Sequence, residues 1–450
     1  YISLGANTTG AQNTAVGSAT LDANTTGADN TSIGFASLGN NTTASNNTAV
    51  GSVALNETTT GGSNTAVGRS ALEKNTTGSN NTAIGNLALD AQTTVNNNTA
   101  IGHAALTANT TGTPNTAVGA FAGQSITEGA NTTLLGFAAG DAITTANDNT
   151  YIGHNAGTAN TSGASNTGVG SAVLAANTTG TSNSAVGSLA LDANTTGFQN
   201  TAVGYLSMSA NTTASNNTSL GYNSLGLNTT GTQNTAVGSQ SLLNNTTGQS
   251  NTAVGYQAAK SITTGSYNTV IGELALLDNT TGQANTALGR AALFDNTEGN
   301  NNTSVGYNSL LLNTTGSFNV AVGASALDAN VTSSSNTAIG YNSLTANTAA
   351  SNTAVGKDSL ESNTSGGSNV AVGADALAAN TTASNNVAVG KSALVANTTG
   401  ANNVAVGANA LDSNTTGGEN TAMGTGALGA ATTGSNNTAI GNLALDAQTT

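Results

Sequence analysis

A glycine recurs every seventeen residues along this 450-residue chain, and this period limits the fold more than any other feature. The glycines fall at multiples of seventeen from Gly17 to Gly340; after one missing residue the series resumes at Gly356 and runs to Gly441. Self-similarity at a short fixed period is the signature of architectures in which each repeat contacts only its neighbours. The sequence therefore predicts a stack of equivalent units rather than several independent globular domains.

Each repeat follows one consensus: Asn-Thr-Ala-Val-Gly, two variable residues, Ala-Leu, two more residues, and Asn-Thr-Thr-Gly with a short spacer. The sequence begins and ends inside a repeat, and residues 76–94 are identical to residues 432–450. We therefore expect residues 1–450 to form a single continuous array of about 26 coils. We also expect this array to be a window on a longer repeat region that grew by duplication.

Seventeen residues suit one coil of a parallel β-solenoid, because they can hold two short β segments joined by two turns. Glycine, threonine and asparagine at fixed points in every repeat oppose a helix. The row that begins with Gly17 and Gly34 is predicted to be a structural ladder along the stack. At a rise of ~4.8 Å per coil, the array would extend over roughly 125 Å. We therefore predict an all-β fold, a parallel β-solenoid of seventeen-residue coils.

The composition excludes several classes of protein. A net charge of −14 with only six Lys and Arg residues provides no electrostatic footprint for nucleic acid. The absence of cysteine excludes disulfide scaffolds and thiolate metal sites. No apolar run approaches the ~20 residues that a membrane span requires. We expect no nucleic-acid partner and no membrane insertion in this segment.

The restricted variation of some positions predicts which side chains face the core. Val16 precedes a ladder glycine, and its row holds only aliphatic residues or Met. Thr14, on the same strand face, is replaced by valine at Val320, so this face is predicted to be the core. Leu21, four residues after the glycine, is also predicted to point inward. The opposite face, with Ala15, carries small residues with few exceptions (Leu134, Tyr151 and Val270) and no Lys or Glu, and we expect a second chain to pack there.

Two rows of asparagine are predicted to form inward ladders, because buried amides need hydrogen-bond partners in the coils above and below. Asn24 and Asn75 belong to one row, and Asn13 opens the strand in the other row. Where the first row holds Ile126, the leucine of that repeat is replaced by Gly123, so the two positions are predicted to share one core volume. The same exchange pairs Gly140 with Ile143 and Ala259 with Ile262.

The residue after the ladder glycine forms a row that collects most of the rare aromatic and basic side chains. This row includes Tyr205, Tyr222, Tyr256, Tyr307, Tyr341, His103, His154, Arg69 and Arg290, together with Tyr1, Phe35, Phe137, Lys357 and Lys391. Exposed aromatic rings could stack on sugars or contact a protein, which makes the row a candidate adhesive surface. The alternative is an outward strand position that tolerates many residues and favours tyrosine through its β-propensity.

Two smaller features add expectations about the surface. Glu273 lies one coil before Arg290 in the same row, which predicts a surface ion pair. Leu277, Phe294 and Leu311 occupy one nominally exposed site in successive coils, and they form either a local contact patch or fold inward. Acidic residues such as Asp90 follow the leucine, which is typical of a solvated edge.

The repeated Asn-Thr-Ala-Val/Ile-Gly motif resembles the head repeat of trimeric autotransporter adhesins of the YadA-like kind. It is also similar to the seventeen-residue arrays of bacterial and phage tail-fibre-type proteins. The resemblance covers the whole chain, although the period of the adhesin head is shorter than seventeen residues. It implies a homotrimeric, left-handed parallel β-roll at a cell surface.

These observations favour a structural function over catalysis. His103 and His154 are three coils apart, roughly 14 Å, which is too far for a shared metal in one chain. We expect no enzymatic activity, no cofactor and no metal site. We expect a segment of an extracellular surface filament or adhesin that gives length and stiffness. Its partners would be copies of itself, as a homotrimer or filament, with glycans or a host or neighbouring cell surface as candidates. The alternatives are a phage-type tail-fibre shaft on a virion and an ice-binding solenoid with stacked rows of the Thr25-Thr26 type.

Overall fold

The structure, a computed structural model, describes residues 2–449. Its contacts separate into two units, which lie within residues 1–230 and 231–450. Each unit is a parallel β-solenoid with one short strand per repeat, and residues 2–449 contain no helix. The predicted all-β parallel solenoid of seventeen-residue coils is thereby confirmed.

Within residues 2–449, each unit has thirteen described strands. In the first unit they are β1 (Thr14–Val16), β2 (Thr31–Ile33), β3 (Thr48–Val50), β4 (Thr65–Val67), β5 (Thr82–Ile84), β6 (Thr99–Ile101), β7 (Asn115–Val118), β8 (Thr132–Leu135), β9 (Thr150–Ile152), β10 (Thr167–Val169), β11 (Ser184–Val186), β12 (Thr201–Val203) and β13 (Thr218–Leu220). In the second unit they are β14 (Thr235–Val237), β15 (Thr252–Val254), β16 (Thr269–Ile271), β17 (Thr286–Leu288), β18 (Thr303–Val305), β19 (Val320–Val322), β20 (Thr337–Ile339), β21 (Thr353–Val355), β22 (Val370–Val372), β23 (Val387–Val389), β24 (Val404–Val406), β25 (Thr421–Met423) and β26 (Thr438–Ile440).

Within each unit, every strand pairs in parallel with the next strand of the sequence. Paired residues are seventeen positions apart, except that Thr337 of β20 lies opposite Thr353 of β21. The residue missing from that repeat is therefore accommodated in a turn, and the strand register is preserved. Hydrogen bonds between coils also continue outside the strands, as where the amide of Thr25 donates to the carbonyl of Thr42 at 2.8 Å.

The ladder glycines are required by both conformation and space. Gly17 and Gly34 have φ values of +139° and +138°, which side chains of L-residues rarely adopt. A Cβ atom on Gly17 would lie 2.3 Å from the carbonyl oxygen of Gly34, and one on Gly34 would lie 2.4 Å from that of Gly51. The structural role predicted for this row is confirmed, because each glycine lets its coil approach the backbone of the next.

The second β segment expected in each coil is absent from residues 2–449, and a series of turns occupies its place. Ala19 and Leu21 have φ values of +57° and +49°, which interrupt an extended backbone. A non-glycine residue in this conformation costs roughly 1–2 kcal/mol. Leu21 is fully buried, as predicted, and burying a leucine side chain contributes about 1.5–3 kcal/mol. Burial of the Leu21 side chain therefore offsets the cost of its left-handed backbone conformation.

The assignment of the two strand faces from sequence was wrong. Val16, predicted to lie in the core, is 57% exposed, and Met423 of the same row is 42% exposed. The alternate residue of the strand is the buried one, and Ala49 and Ala66 have no exposed surface. The pleat alternates as expected, but the aliphatic row faces outward and the alanine row faces the core.

The reason for the small inward residues is the proximity of the two walls of one coil. Where serine replaces alanine, Ser32 Oγ reaches across the coil and donates to the carbonyl oxygen of Ser37 at 2.8 Å. Where the opposite wall carries leucine, as Leu38 does in this coil, only a small side chain fits between walls this close. The alanine row containing Ala15 therefore packs against its own coil, and the predicted second chain on that face is wrong.

Both asparagine ladders are confirmed. Asn24 and Asn75 are fully buried, and Asn24 Nδ2 donates to Asn7 Oδ1 at 2.9 Å and to the carbonyl of Gly27 at 3.0 Å. In the second ladder, Asn13 Oδ1 accepts a hydrogen bond of 3.0 Å from the amide of the asparagine in the next coil. Each asparagine side-chain amide thus links its own coil to a neighbouring coil.

Interruptions of the first ladder leave amide oxygens without partners. Asn109 Oδ1 is buried and accepts no hydrogen bond within residues 2–449, because the next coil presents Ile126 in the same row. The same holds for Asn41 below Thr58, Asn75 below Gln92 and Asn414 below Ala431. An unsatisfied amide oxygen costs roughly 1–3 kcal/mol. An asparagine in the next coil avoids this cost, which explains why asparagine is repeated from coil to coil.

The shared volume predicted for Gly123 and Ile126 is confirmed and has a third member. A Cβ atom on Gly123 would lie 2.9 Å from Ile126 Cδ1 and 2.7 Å from Leu134 Cδ1. Leu134 occupies the alanine row of β8 and is fully buried. The leucine position shrinks to glycine because a larger residue enters from the strand as well as from the asparagine row.

Tyr151 of β9 is the largest side chain in the alanine row, and it is fully buried. Gly157 and Gly168 make room for it, since Cβ atoms there would lie 2.5 and 2.9 Å from its ring. Its hydroxyl accepts a hydrogen bond of 3.2 Å from Asn160 Nδ2. The hydroxyl thus supplies the oxygen that Ile143, one coil below Asn160 in the ladder, cannot supply. Burial raises the pKa of the Tyr151 phenol above its ordinary range.

We expect the first unit to lose stability above about pH 10, the ordinary pKa of tyrosine. Because the folded pKa of Tyr151 is raised, the unfolded chain binds fewer protons than the folded chain between the two pKa values. The free energy of unfolding therefore falls as the pH rises through this window, and it is unaffected below it. The loss is measured as the shift between pH 8 and pH 11 in the urea concentration at which the circular dichroism signal is lost. Tyr151→Phe is the control, and an equal loss in both proteins would contradict the assignment.

Candidate functional site

The outer face of the strands is a large surface that the coils themselves leave uncovered. In each unit a row of half-buried or exposed threonines runs beside a row of half-buried or exposed aliphatic side chains, of which Leu135 in the first unit and Ile271 in the second are exposed. In three successive coils both rows are valine: Val370 and Val372, Val387 and Val389, and Val404 and Val406. An apolar stripe that runs through successive coils is a candidate interaction surface.

The row after the ladder glycine is exposed, as predicted. The tyrosines Tyr205, Tyr222, Tyr256, Tyr307 and Tyr341 are between 49% and 54% exposed. His103, His154, Arg69 and Arg290 are exposed as well. Tyr1, which belongs to the row in the sequence, lies outside the described residues. The row is therefore available to a partner, but exposure alone identifies no ligand.

In the first unit the structure brings four rings of successive coils into contact. The ring centroids of His103 and Phe121 are 5.1 Å apart, those of Phe121 and Phe137 5.8 Å, and those of Phe137 and His154 5.5 Å. Phe121 was missed in the sequence because it stands two residues after its ladder glycine instead of one. The available signal was its distance of sixteen residues from Phe137, close to the repeat length. The cluster connects the two histidines through aromatic contacts.

The orientation of the rings limits what this row can bind. Tyr205 and Tyr222 stack at 6.0 Å with an interplanar angle of 19°, and Phe137 and His154 stack at 14°. In a stacked pair one face of each ring is covered by the other, so less ring face remains for a sugar. Such pairs contribute about 0.5–1.5 kcal/mol beyond their buried area. The ring pairs therefore stabilise the stack of coils, whether or not a partner binds to the row.

In the second unit Arg290 is held by two neighbours of its own row. Its Nε lies 3.6 Å from Glu273 Oε2, and its guanidinium lies 5.7 Å from the centroid of the Tyr307 ring. The predicted ion pair is present, but both side chains are about half exposed, so it contributes little to stability.

Leu277, Phe294 and Leu311 are half-buried, so they neither fold fully inward nor lie fully exposed.

The hydroxyls of the Thr25 row are used within the solenoid. Thr25 Oγ1 donates to the carbonyl oxygen of Thr42 at 2.9 Å, and Thr195 Oγ1 donates in the same way to Thr212 at 3.0 Å. The donating hydrogens therefore point along the stack, to the next coil. Fewer free donors remain on this row for an external lattice of water.

The acidic residues at the edge are less solvated than predicted. Asp90, Asp192 and Asp328 are half-buried, and desolvation raises the pKa of each carboxyl. Lys74 Nζ lies 3.6 Å from Asp90 Oδ2 and opposes this shift. Within residues 2–449, no three His, Cys, Asp or Glu side chains are grouped as a metal site would require. The same part of the chain contains no helix that could cross a membrane.

Comparison of the sequence with protein-family models found no match, and a search of curated proteins found no similar sequence. The likeness to adhesin heads therefore depends on the repeat motif alone, and the likeness to tail-fibre arrays on the motif and its period.

Proposed function

We propose that this chain is a structural segment of an extracellular fibre, a surface filament or adhesin, in which copies of the chain pack through the outer face of their strands. The observation that carries the proposal is the outward-facing aliphatic row beside the threonine row, whose side chains are half-buried or exposed. It continues through every coil of each unit, although the solenoid does not need it for its own core. Periodic apolar surface of this extent is explained by a partner with the same period.

A second copy of the chain has that period. Rows of Val, Ile and Leu along one solenoid can meet the same rows of another, coil for coil, whereas a globular partner would cover only a few coils. The resemblance to trimeric adhesin heads favours three copies around a common axis. The small residues that suggested contact on the opposite face belong to the interior, so the interface moves to the aliphatic face.

The exposed row of aromatic and basic residues is the second functional element of the proposal. It would lie on the outside of the fibre, where glycans or a neighbouring cell surface are accessible partners. A phage-type tail-fibre shaft on a virion has the same architecture and remains an alternative within this class. The ice-binding alternative is less favoured, because the Thr25 row donates its hydroxyl hydrogens to the next coil.

We expect Val389→Glu to convert the assembly into monomers. Val389 lies on the outer face of β23 and is 36% exposed in the single chain. In an assembly this position would be covered on every copy, and a buried unpaired carboxylate is strongly unfavourable. Light scattering coupled to size-exclusion chromatography would show the mass fall from a multiple of 43.2 kDa to 43.2 kDa.

Val331→Glu is the matched control, because this valine is 41% exposed but lies in a turn and away from the outer face. It should leave the mass of the assembly unchanged. A wild-type chain that is monomeric at high concentration, or two variants with the same mass, would contradict packing through the strand face.

A further inference from the structure

An open cleft of about 410 Å³ lies in the second unit, on the turn side of the coils. Apolar side chains of Leu274, Phe294, Leu311 and Leu312 form most of its lining, and Arg290 and Asp295 stand at its edge. None of the residues that line the cleft belongs to the outer strand face, so the cleft is separate from the proposed contact between copies. Its size is within the range of small-molecule sites.

The cleft is a local departure from the repeat. At the position of Leu277, Phe294 and Leu311 most other coils carry polar or small residues, such as Asp192 and Asp328, without any change in the coil. Leu243 and Val395 are isolated apolar residues at this position, outside the run of three successive coils. The solenoid therefore does not need large apolar side chains here. Leu312, at the next position, is 41% exposed. Half-exposed apolar residues that are confined to a few coils favour a local ligand rather than a role in the stack.

The charges around the cleft favour a cation. Arg290 is already paired with Glu273 and lies over the ring of Tyr307. Asp278 lies one coil below Asp295, since its amide donates at 3.0 Å to the carbonyl of Phe294. Among the described residues, no basic side chain forms an ion pair with either aspartate. Asp278 and Asp295 are therefore not neutralised by an ion pair, whereas the positive charge of Arg290 is already paired with Glu273.

We propose that this cleft binds a small amphiphilic cation: an aromatic or branched apolar group that carries an ammonium or guanidinium. The apolar group would pack on Phe294, Leu311 and Leu312. The cationic group would lie beside Asp295, with Asp278 in the coil below. This function goes beyond the fibre proposal and does not depend on how copies of the chain associate.

Tryptamine and indole-3-acetate test the proposal, because they present the same indole ring with opposite charge. Both are titrated into the full chain, and binding is measured by calorimetry or ligand-observed NMR. We expect tryptamine to bind at least tenfold more tightly, a difference of about 1.4 kcal/mol. Asp295→Asn should remove this preference, and Phe294→Ala should weaken both ligands.

The net charge of −14 attracts any cation weakly, so controls must remove equivalent groups elsewhere. Asp192→Asn removes a half-buried carboxylate in the first unit, and Phe198→Ala removes an exposed ring there; both should leave the affinities unchanged. Asp295→Asn keeps the shape of the side chain, so it tests the charge even if Phe294→Ala perturbs folding. The proposal fails if tryptamine does not bind, if both ligands bind equally, or if Asp192→Asn and Asp295→Asn have the same effect.

Discussion

Gly373→Ala should open several coils of the second unit, whereas Gly367→Ala, six residues away, should leave them closed. Gly373 is a ladder glycine with φ of +137°, and a Cβ atom there would lie 2.5 Å from the carbonyl oxygen of Gly390. The backbone strain costs roughly 1–3 kcal/mol, and forcing an extra methyl group into close packing costs about as much again. A total of roughly 2–6 kcal/mol is a large fraction of the ~5–15 kcal/mol that stabilises a typical whole domain.

Hydrogen exchange measured by mass spectrometry suits this prediction, since long repeat arrays do not unfold in a single step. Peptides that span β22 to β24 should lose protection in Gly373→Ala. Gly367 is a turn glycine without a positive φ, and its Cβ would meet a single atom at 3.3 Å, so Gly367→Ala should exchange like the wild type. Equal exchange in the two variants would show that the ladder glycine is not required by space or conformation.

The parts of the fold that sequence could predict are those that one residue type alone can satisfy. Gly17 recurs because no other residue fits its φ and its approach to the next coil. Asn24 recurs because a side chain of this length can donate to its own turn and to the coil below at once. In both rows the restriction has one physical explanation, so the pattern of substitution identified the role.

The strand faces could not be assigned in this way, because restricted variation has two explanations. A row that holds only aliphatic residues, such as that of Val16, is expected both in a core and in an interface between chains. A row such as that of Ala49 is small both where two chains meet and where two walls of one coil meet. The deciding fact is how close the opposite wall lies. That distance depends on left-handed residues such as Leu21, whose φ of +49° no propensity scale predicts.

The candidate site shows the same division. The exposure of the aromatic row followed from its mixture of residue types, which a core would not tolerate. The pairing of rings did not follow, because it depends on side-chain orientation. Phe121 reaches His103 and Phe137 from a different position of its coil. A sequence row is therefore a good guide to which residues are accessible, and a poor guide to which ring faces remain free.

Tyr151 and Gly157 should behave as one unit in a double-mutant cycle. Tyr151→Ala leaves a cavity that Gly157 cannot fill, and truncation of a buried aromatic residue costs about 3–5 kcal/mol. Gly157→Leu should also destabilise, since its Cβ would lie 2.5 Å from Tyr151 Cε2. The double variant recreates the pair of Ala49 and Leu55, both of which are fully buried in their own coil. We expect it to recover most of the loss, with a coupling energy of about 2–3 kcal/mol.

The double variant should not regain the full stability of the wild type, because Asn160 loses one hydrogen-bond partner. Asn160 Nδ2 keeps its hydrogen bond of 2.8 Å to the carbonyl of Gly163, but it loses the tyrosine hydroxyl, and Ile143 offers no oxygen in its place. A deficit of about 1 kcal/mol should therefore remain. Hydrogen exchange of β9 and β10 measures each variant, with Tyr205→Ala as a control that removes an exposed tyrosine. Additive effects in the cycle would mean that the two positions do not share a volume. A strong coupling would show that each coil requires a fixed total volume of core side chains. Either wall of the coil, the strand with residue 151 or the turns with residue 157, can then supply that volume.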